Sequence, residues 1–202
     1  MANVSNTNDA DQSPRERIIS AARVLFGTKG FHHTTTAELA TRASVSTGQI
    51  YRHFEAKSDI VLAIVEQNVH TRLAQMDSIF DAVERGSCGV FEAFQAISEI
   101  SLVLEDGSLS YEILAEAVRN PSVAEKLETL TSFFQAGIRR LALLARPDMR
   151  SEDLDAYVDI MTACFLGLGL RSILDSSVEV DRTSASTAGL MLRMLGVSEP
   201  GR

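Results

Sequence analysis

Residues 46–54 read STGQIYRHF. At 100° per residue, Ile50 and Phe54 lie four apart on one helical face. Gly48, Gln49, Tyr51 and Arg52 point the other way, with Thr47 and His53 on the flanks. Two apolar anchors are enough to dock a short helix on a small core. The outer face carries more donors, acceptors and cations than a merely solvated helix face requires. Ser46 with Gln49 three positions on is a capping box, so the helix starts at Ser46 and is entered from a tight turn at 43–45.

Upstream, Thr35-Thr36-Ala37-Glu38 is a second capping box and opens a short helix with Leu39, Ala40 and Ala43 inward. Ser13-Pro14-Arg15-Glu16 combines an N-cap, a proline at the first helical position and a capping-box glutamate. The helix it opens buries Ile18, Ile19, Ala22, Leu25 and Phe26 and stops at Gly30.

Two short helices joined by a tight turn, the second polar outside, describe a helix-turn-helix. Its second helix enters the DNA major groove N-terminal residues first. Gln49 suits a bidentate pair with a base edge, adenine for preference, and Arg52 suits guanine. Thr47 reaches a base, a thymine methyl or a phosphate, and Gly48 removes the side chain where the helix presses closest. Tyr51, His53 and Lys57 suit phosphate oxygens, as do the hydroxyls and N–H groups at the helix starts of Thr35, Thr36 and Ser46.

Net charge is −8, which alone argues against a nucleic-acid partner. The distribution reverses that: residues 14–57 hold seven basic against three acidic residues, and residues 58–202 hold twelve against twenty-two. A basic head on an acidic body binds a polyanion at one end and stays soluble; ordinary charge scatter is the alternative.

Downstream, few prolines and few alternating β-branched runs predict an all-α chain. A long helix from about Lys57 carries Val61, Val65, Val69, Leu73, Met76 and Phe80 as its stripe and breaks at 86–89. Further helices are expected over 90–104, 109–119, from a capping box at Ser122–Glu125 to Ala145, 152–174 and 183–195. Residues 1–12 read as a disordered arm, 13–57 as a DNA-binding domain and 58–202 as a helical regulatory and dimerisation domain.

The polar N-terminus lacks an apolar signal core and no run has membrane length, so a cytoplasmic location is expected. Cys88 and Cys164 match no metal or redox spacing. His32-His33 lacks companions for a metal site, and Glu152, Asp153, Asp155 and Asp159 read as a helix N-terminus. No nucleophile elbow, Walker loop or dinucleotide fingerprint occurs, so neither a cofactor nor an enzyme is expected.

The stretch from Arg17 to Ile60 resembles the head of TetR-type transcriptional regulators. The resemblance rests on Ile18, Ala21-Ala22, Leu25-Phe26, Gly30-Phe31, Thr34-Thr35, Leu39-Ala40, Val45-Ser46, Gly48, Ile50-Tyr51, His53-Phe54 and Lys57. Ser44 stands where a glycine is usual, and Gln49 and Arg52 occupy variable positions. The resemblance implies three small helices, then about six larger ones that house a ligand pocket. It also implies a homodimer joined through the last two long helices, where Gly167, Gly169, Ala185, Ala188 and Gly189 allow close approach. Phe91, Phe94, Tyr111, Phe133, Phe134, Met161, Cys164 and Phe165 are candidates to line the pocket, with Glu99 and Glu116 near the same apolar stripes. Plain core and solvent-facing glutamates are the alternatives.

The expected function is a ligand-released homodimeric repressor on a palindromic double-stranded operator. Regulation of the same fold by a partner protein, or activation without a small-molecule effector, is the alternative.

Overall fold

The computed structural model describes residues 12–103, 107–175 and 177–198; of residues 107 and 108 only the backbone is described. The expected arm at 1–12 therefore lies, save for its last residue, outside the described residues. Nine helices and no strand occur among the described residues: α1 Pro14–Lys29, α2 Thr36–Arg42, α3 Thr47–His53, α4 Lys57–Glu84, α5 Val90–Leu102, α6 Gly107–Ala117, α7 Pro121–Ala145, α8 Ser151–Leu174 and α9 Val180–Met194. The chain is all-α, with a helix-turn-helix head and a larger helical domain.

The starts of the first three helices follow from local chemistry. Ser13, Thr35 and Ser46 each close a reciprocal capping box, with Glu16, Glu38 and Gln49. The start of α7 differs from expectation. Asn120, not Ser122, caps it: Asn120 Oδ1 accepts the Ser122 N–H at 3.1 Å, with Pro121 at the first helical position. A proline that signals a stop from upstream also opens the next helix.

The chain folds as two compact units, Met1–Asn68 with Asp106–Lys126, and Val69–Glu105 with Leu127–Arg202. The first takes in α6 and the start of α7, which the sequence pattern had assigned to the regulatory domain. The reason is apolar packing: α6 lies on α1, and Leu109, Ile113 and Val123 are as buried as Ile18, Phe26, Leu39, Ile50 and Ile64 of the head. Each such side chain contributes roughly 1.5–3 kcal/mol when fully buried.

The second unit packs α5 against α8 and α9. Its core joins Phe80 of α4, Phe94 and Ile97 of α5, Phe134 and Ile138 of α7, Met161 and Phe165 of α8, and Met191 and Leu192 of α9. Gly137, inside α7, has a packing reason: a Cβ there would overlap the Phe80 ring at Cζ. Gly137→Ala is expected to destabilise the protein by about 1–3 kcal/mol through overpacking, although alanine is the better helix former. Thermal melts check this, and Phe80→Leu in the same chain should recover part of the loss.

Candidate nucleic-acid interface

The turn between α2 and α3 holds its shape at a cost. Ser44 has φ 52°, the left-handed region that disfavours a side chain, and Val45 N–H reaches back to Ala40 O at 3.0 Å. This is the position where the sequence resemblance calls for glycine, and the turn forms with serine nonetheless.

From that turn α3 presents its polar face outward. Thr47, Gly48, Tyr51, Arg52 and His53 are exposed, Tyr51 at 59 %, while Ile50 and Phe54 are buried at 2 % and 5 %. Arg52 makes no hydrogen bond or ion pair among the described residues. At the start of α2, Thr35 Oγ1 and N–H are both occupied by Glu38 Oε2 at 2.9 Å, and Thr36 is half-buried. The Lys29 ammonium, and after it those two hydrogen bonds, hold the Glu38 carboxyl down at about 2.

Gly48 has no packing reason among the described residues. A Cβ built there meets nothing nearer than Ser46 Oγ at 3.9 Å, and its φ is not in the positive range that favours glycine. Glycine in a helix is up to about 1 kcal/mol worse than alanine, so the fold alone would favour alanine. Gly48→Ala is expected to keep or raise the melting temperature while weakening DNA binding by about tenfold, the effect of one Cβ pressed into a close-packed contact. A melt paired with a DNA titration checks it; unchanged binding would refute close approach at Gly48.

Lys57 is placed differently from expectation. Its ammonium turns inward and donates to Phe31 O at 2.6 Å and Thr34 O at 2.9 Å, above the Phe31 ring at 4.4 Å. Burial pushes it below the ordinary lysine range, and the Glu116 carboxylate offsets part of that. Lys57 thus clasps the loop ahead of α2 instead of reaching toward a phosphate.

The same loop is held from α6. Glu112 Oε2 accepts the Phe31 N–H at 2.8 Å, and Arg119 Nη2 donates to His32 Nε2 at 3.3 Å. Glu116, expected near a ligand or facing solvent, is buried within this group, only 8 % exposed. Glu112 and Glu116 share a face by the i, i+4 rule, a stripe legible in the sequence, but its partner was not. Arg15, absent from the sequence candidates, lies with its guanidinium 5.4 Å from the centre of the Phe54 ring, at the end of α3.

Seven of the eight apolar and aromatic pocket candidates gather in or against the core of the second unit. Phe94, Phe134, Met161 and Phe165 are buried against one another, with Phe134–Phe165 edge-to-face at 5.5 Å. Phe91, Phe133 and Cys164 pack around them, filling the core. Tyr111 belongs to α6 and the first unit. Glu99 instead lines an open cleft of about 720 Å³ on α4 and α5, with His70, Gln75, Ser78 and Ile79 among its walls. Glu99 Oε1 accepts from Gln95 Nε2 at 3.0 Å and from Ser184 Oγ at 3.4 Å.

Of the five small residues expected at a dimer contact, Gly169, Ala188 and Gly189 are buried inside their own chain, Ala188 in the core. Ala185 is half-buried, and Gly167 is exposed, with open space where a Cβ would stand. No group of three or more metal-ligating side chains occurs among the described residues.

Comparison with known proteins bears on this head and body together. A profile of bacterial regulatory proteins of the tetR family matches residues 18–64. The HTH-type transcriptional regulator UidR of Escherichia coli K12 is 30 % identical over 143 residues, which cover 67 % of this chain and 70 % of that protein. A transcriptional regulator from Rhodococcus sp. RHA1 superposes with a TM-score of 0.74 at 21 % identity, over 91 % of this chain and 96 % of that one. A regulator from Saccharomonospora viridis, crystallised in complex with choline, superposes at 0.69 with 21 % identity, over 90 % and 93 %. With a capped groove-type helix, a matching head and a relative aligned across most of its length, the chain belongs to the TetR family of DNA-binding transcriptional regulators.

Proposed function

We propose that this regulator is a homodimeric repressor that reads a palindromic operator and leaves it when a small ligand binds. The observation that carries the reading is α3, whose exposed face gathers Thr47, Gly48, Tyr51, Arg52 and His53, the Arg52 guanidinium having no partner among the described residues. In this reading Arg52 and Gln49 face base edges, and Thr47, Tyr51, His53 and Thr36 at the α2 start face the backbone, while Thr35 spends both its donors on Glu38.

Dimerisation is supported by α8. Ile160, Leu166, Leu170 and Leu174 are 50 %, 64 %, 47 % and 76 % exposed, and Leu190 of α9 is 44 % exposed. Residues 160, 163, 167, 170 and 174 follow spacings of 3, 4, 3 and 4, a helix–helix seam with Gly167 in it. A second copy covers such a seam. The effector site is supported by the Glu99 cleft, which sets a carboxylate, two hydroxyls and one amide among Ala74, Ile79, Ala96 and Ile100. Choline is the ligand of the S. viridis neighbour, and a cation of that kind suits a carboxylate.

Genomic fragments selected on purified protein at physiological salt test the reading. Enrichment of one palindrome is the expected result. Weak binding to all fragments, falling steeply with salt, would leave only the electrostatic attraction of the basic head.

A further inference from the structure

The helix proposed to read DNA is capped by one of its own base-reading side chains. Ser46 N–H donates to Gln49 Oε1 at 2.9 Å, and Gln49 N–H donates to Ser46 Oγ at 3.2 Å. The donor fixes which amide atom lies there, because a backbone N–H takes an acceptor and only the carbonyl oxygen of the amide is one. The boxes of α1 and α2 place Glu16 and Glu38 at the same position. A carboxylate in that role offers acceptors alone; the amide keeps an NH2 with two donors and no partner among the described residues.

A bidentate pair with adenine needs the carbonyl oxygen turned to N6 and the NH2 to N7. In α3 the cap takes one lone pair of that oxygen and ties it to the Ser46 N–H at the helix start, so turning it to an adenine N6 would mean leaving the cap. Arg52, three residues on and also outward, has donors only. Resting on the reading of α3 as the groove helix, we propose that Gln49 reads DNA from within its cap as a hydrogen-bond donor. The half-site then presents acceptors opposite Gln49, guanine N7 and O6 first, and excludes cytosine there. This replaces the adenine preference that residue type alone suggests.

The test is selection from random duplexes with the full-length protein and with Gln49→Glu, alongside a melting curve for each. Glutamate preserves the cap, as Glu16 and Glu38 show in this chain, and turns the groove-facing donor into an acceptor. The wild type is expected to enrich a palindrome with guanine at one position per half-site and cytosine disfavoured by about tenfold, the usual scale for one base contact. Gln49→Glu should melt alike and move that one position to cytosine, whose N4 donates, leaving the rest of the palindrome intact. Wild-type selection of adenine over guanine by about tenfold would overturn the proposal, because the side chain would have left its cap. So would identical palindromes for both proteins. No palindrome with either protein would reject the groove-helix reading beneath it.

Discussion

Lys57→Ala is expected to lower the melting temperature and to weaken DNA binding equally on matched and mismatched sites. Two carbonyls, Phe31 O and Thr34 O, lose their shared donor, and the Phe31 ring loses the cation above it. Lys57 is half-buried, so water recovers part of the loss. A net cost of about 2 kcal/mol follows from the penalty for stranded acceptors, or roughly 4–8 °C in a chain of this length.

Salt dependence separates this role from the one residue type suggests. A phosphate contact, when removed, reduces the slope of log K against log salt by about one and leaves the melting temperature alone. A clasp does the reverse. Its loss loosens residues 30–35, which set the start of α2, while the count of phosphate contacts stays nearly constant. Glu112→Gln provides a companion: it keeps an acceptor for the Phe31 N–H and should change stability far less than Lys57→Ala. A reduced salt slope with unchanged melting for Lys57→Ala would return the residue to the phosphate backbone.

That contrast marks how far the sequence could be read. The head was legible because its signals are local. Three capping boxes, the Pro14 start and the Gly30 stop each lie within four residues of what they control, and the structure forms all of them. The start of α3 follows from the Ser46–Gln49 capping box, and its apolar pair, Ile50 and Phe54, from period. Lys57 was not legible, since its partners Phe31 and Thr34 lie 26 and 23 residues away and nothing in its neighbourhood announces them. Glu112 reaches 81 residues to Phe31 N, a pairing no periodicity encodes. The aromatic residues of the body illustrate a different limit. Phe94, Phe134 and Phe165 have the composition of a pocket wall and of a filled core alike, and only packing decides. Small residues behave similarly: Gly169 and Gly189 face inward and Gly167 outward, because a glycine carries no side chain to show which face it serves.

The outward face of α8 leads to the largest expected functional loss. Leu166→Glu with Leu170→Glu should convert a dimer into a folded monomer at micromolar concentration, read by size-exclusion chromatography with light scattering. Both leucines are exposed in the single chain, so neither change empties a cavity, and the melting curve of the monomer should remain cooperative. The seam is otherwise hard to explain. By length and composition α8 is apolar enough to cross a membrane, yet only 22 % of its most apolar window is buried within the chain. Acidic residues Glu152, Asp153, Asp155 and Asp159 cluster at its start, and Asp153 and Asp155 pair with Arg150 and Arg139; a protein partner suits such a helix better than lipid. Two linked heads gain a high effective concentration for the second half-site, so separating them should cost about 10²–10⁴ in operator affinity without touching any DNA contact. Binding to a single half-site should change little. A variant that stays dimeric would move the interface off this face of α8, and a monomer that binds the full palindrome as tightly as the wild type would remove the need for a dimer altogether.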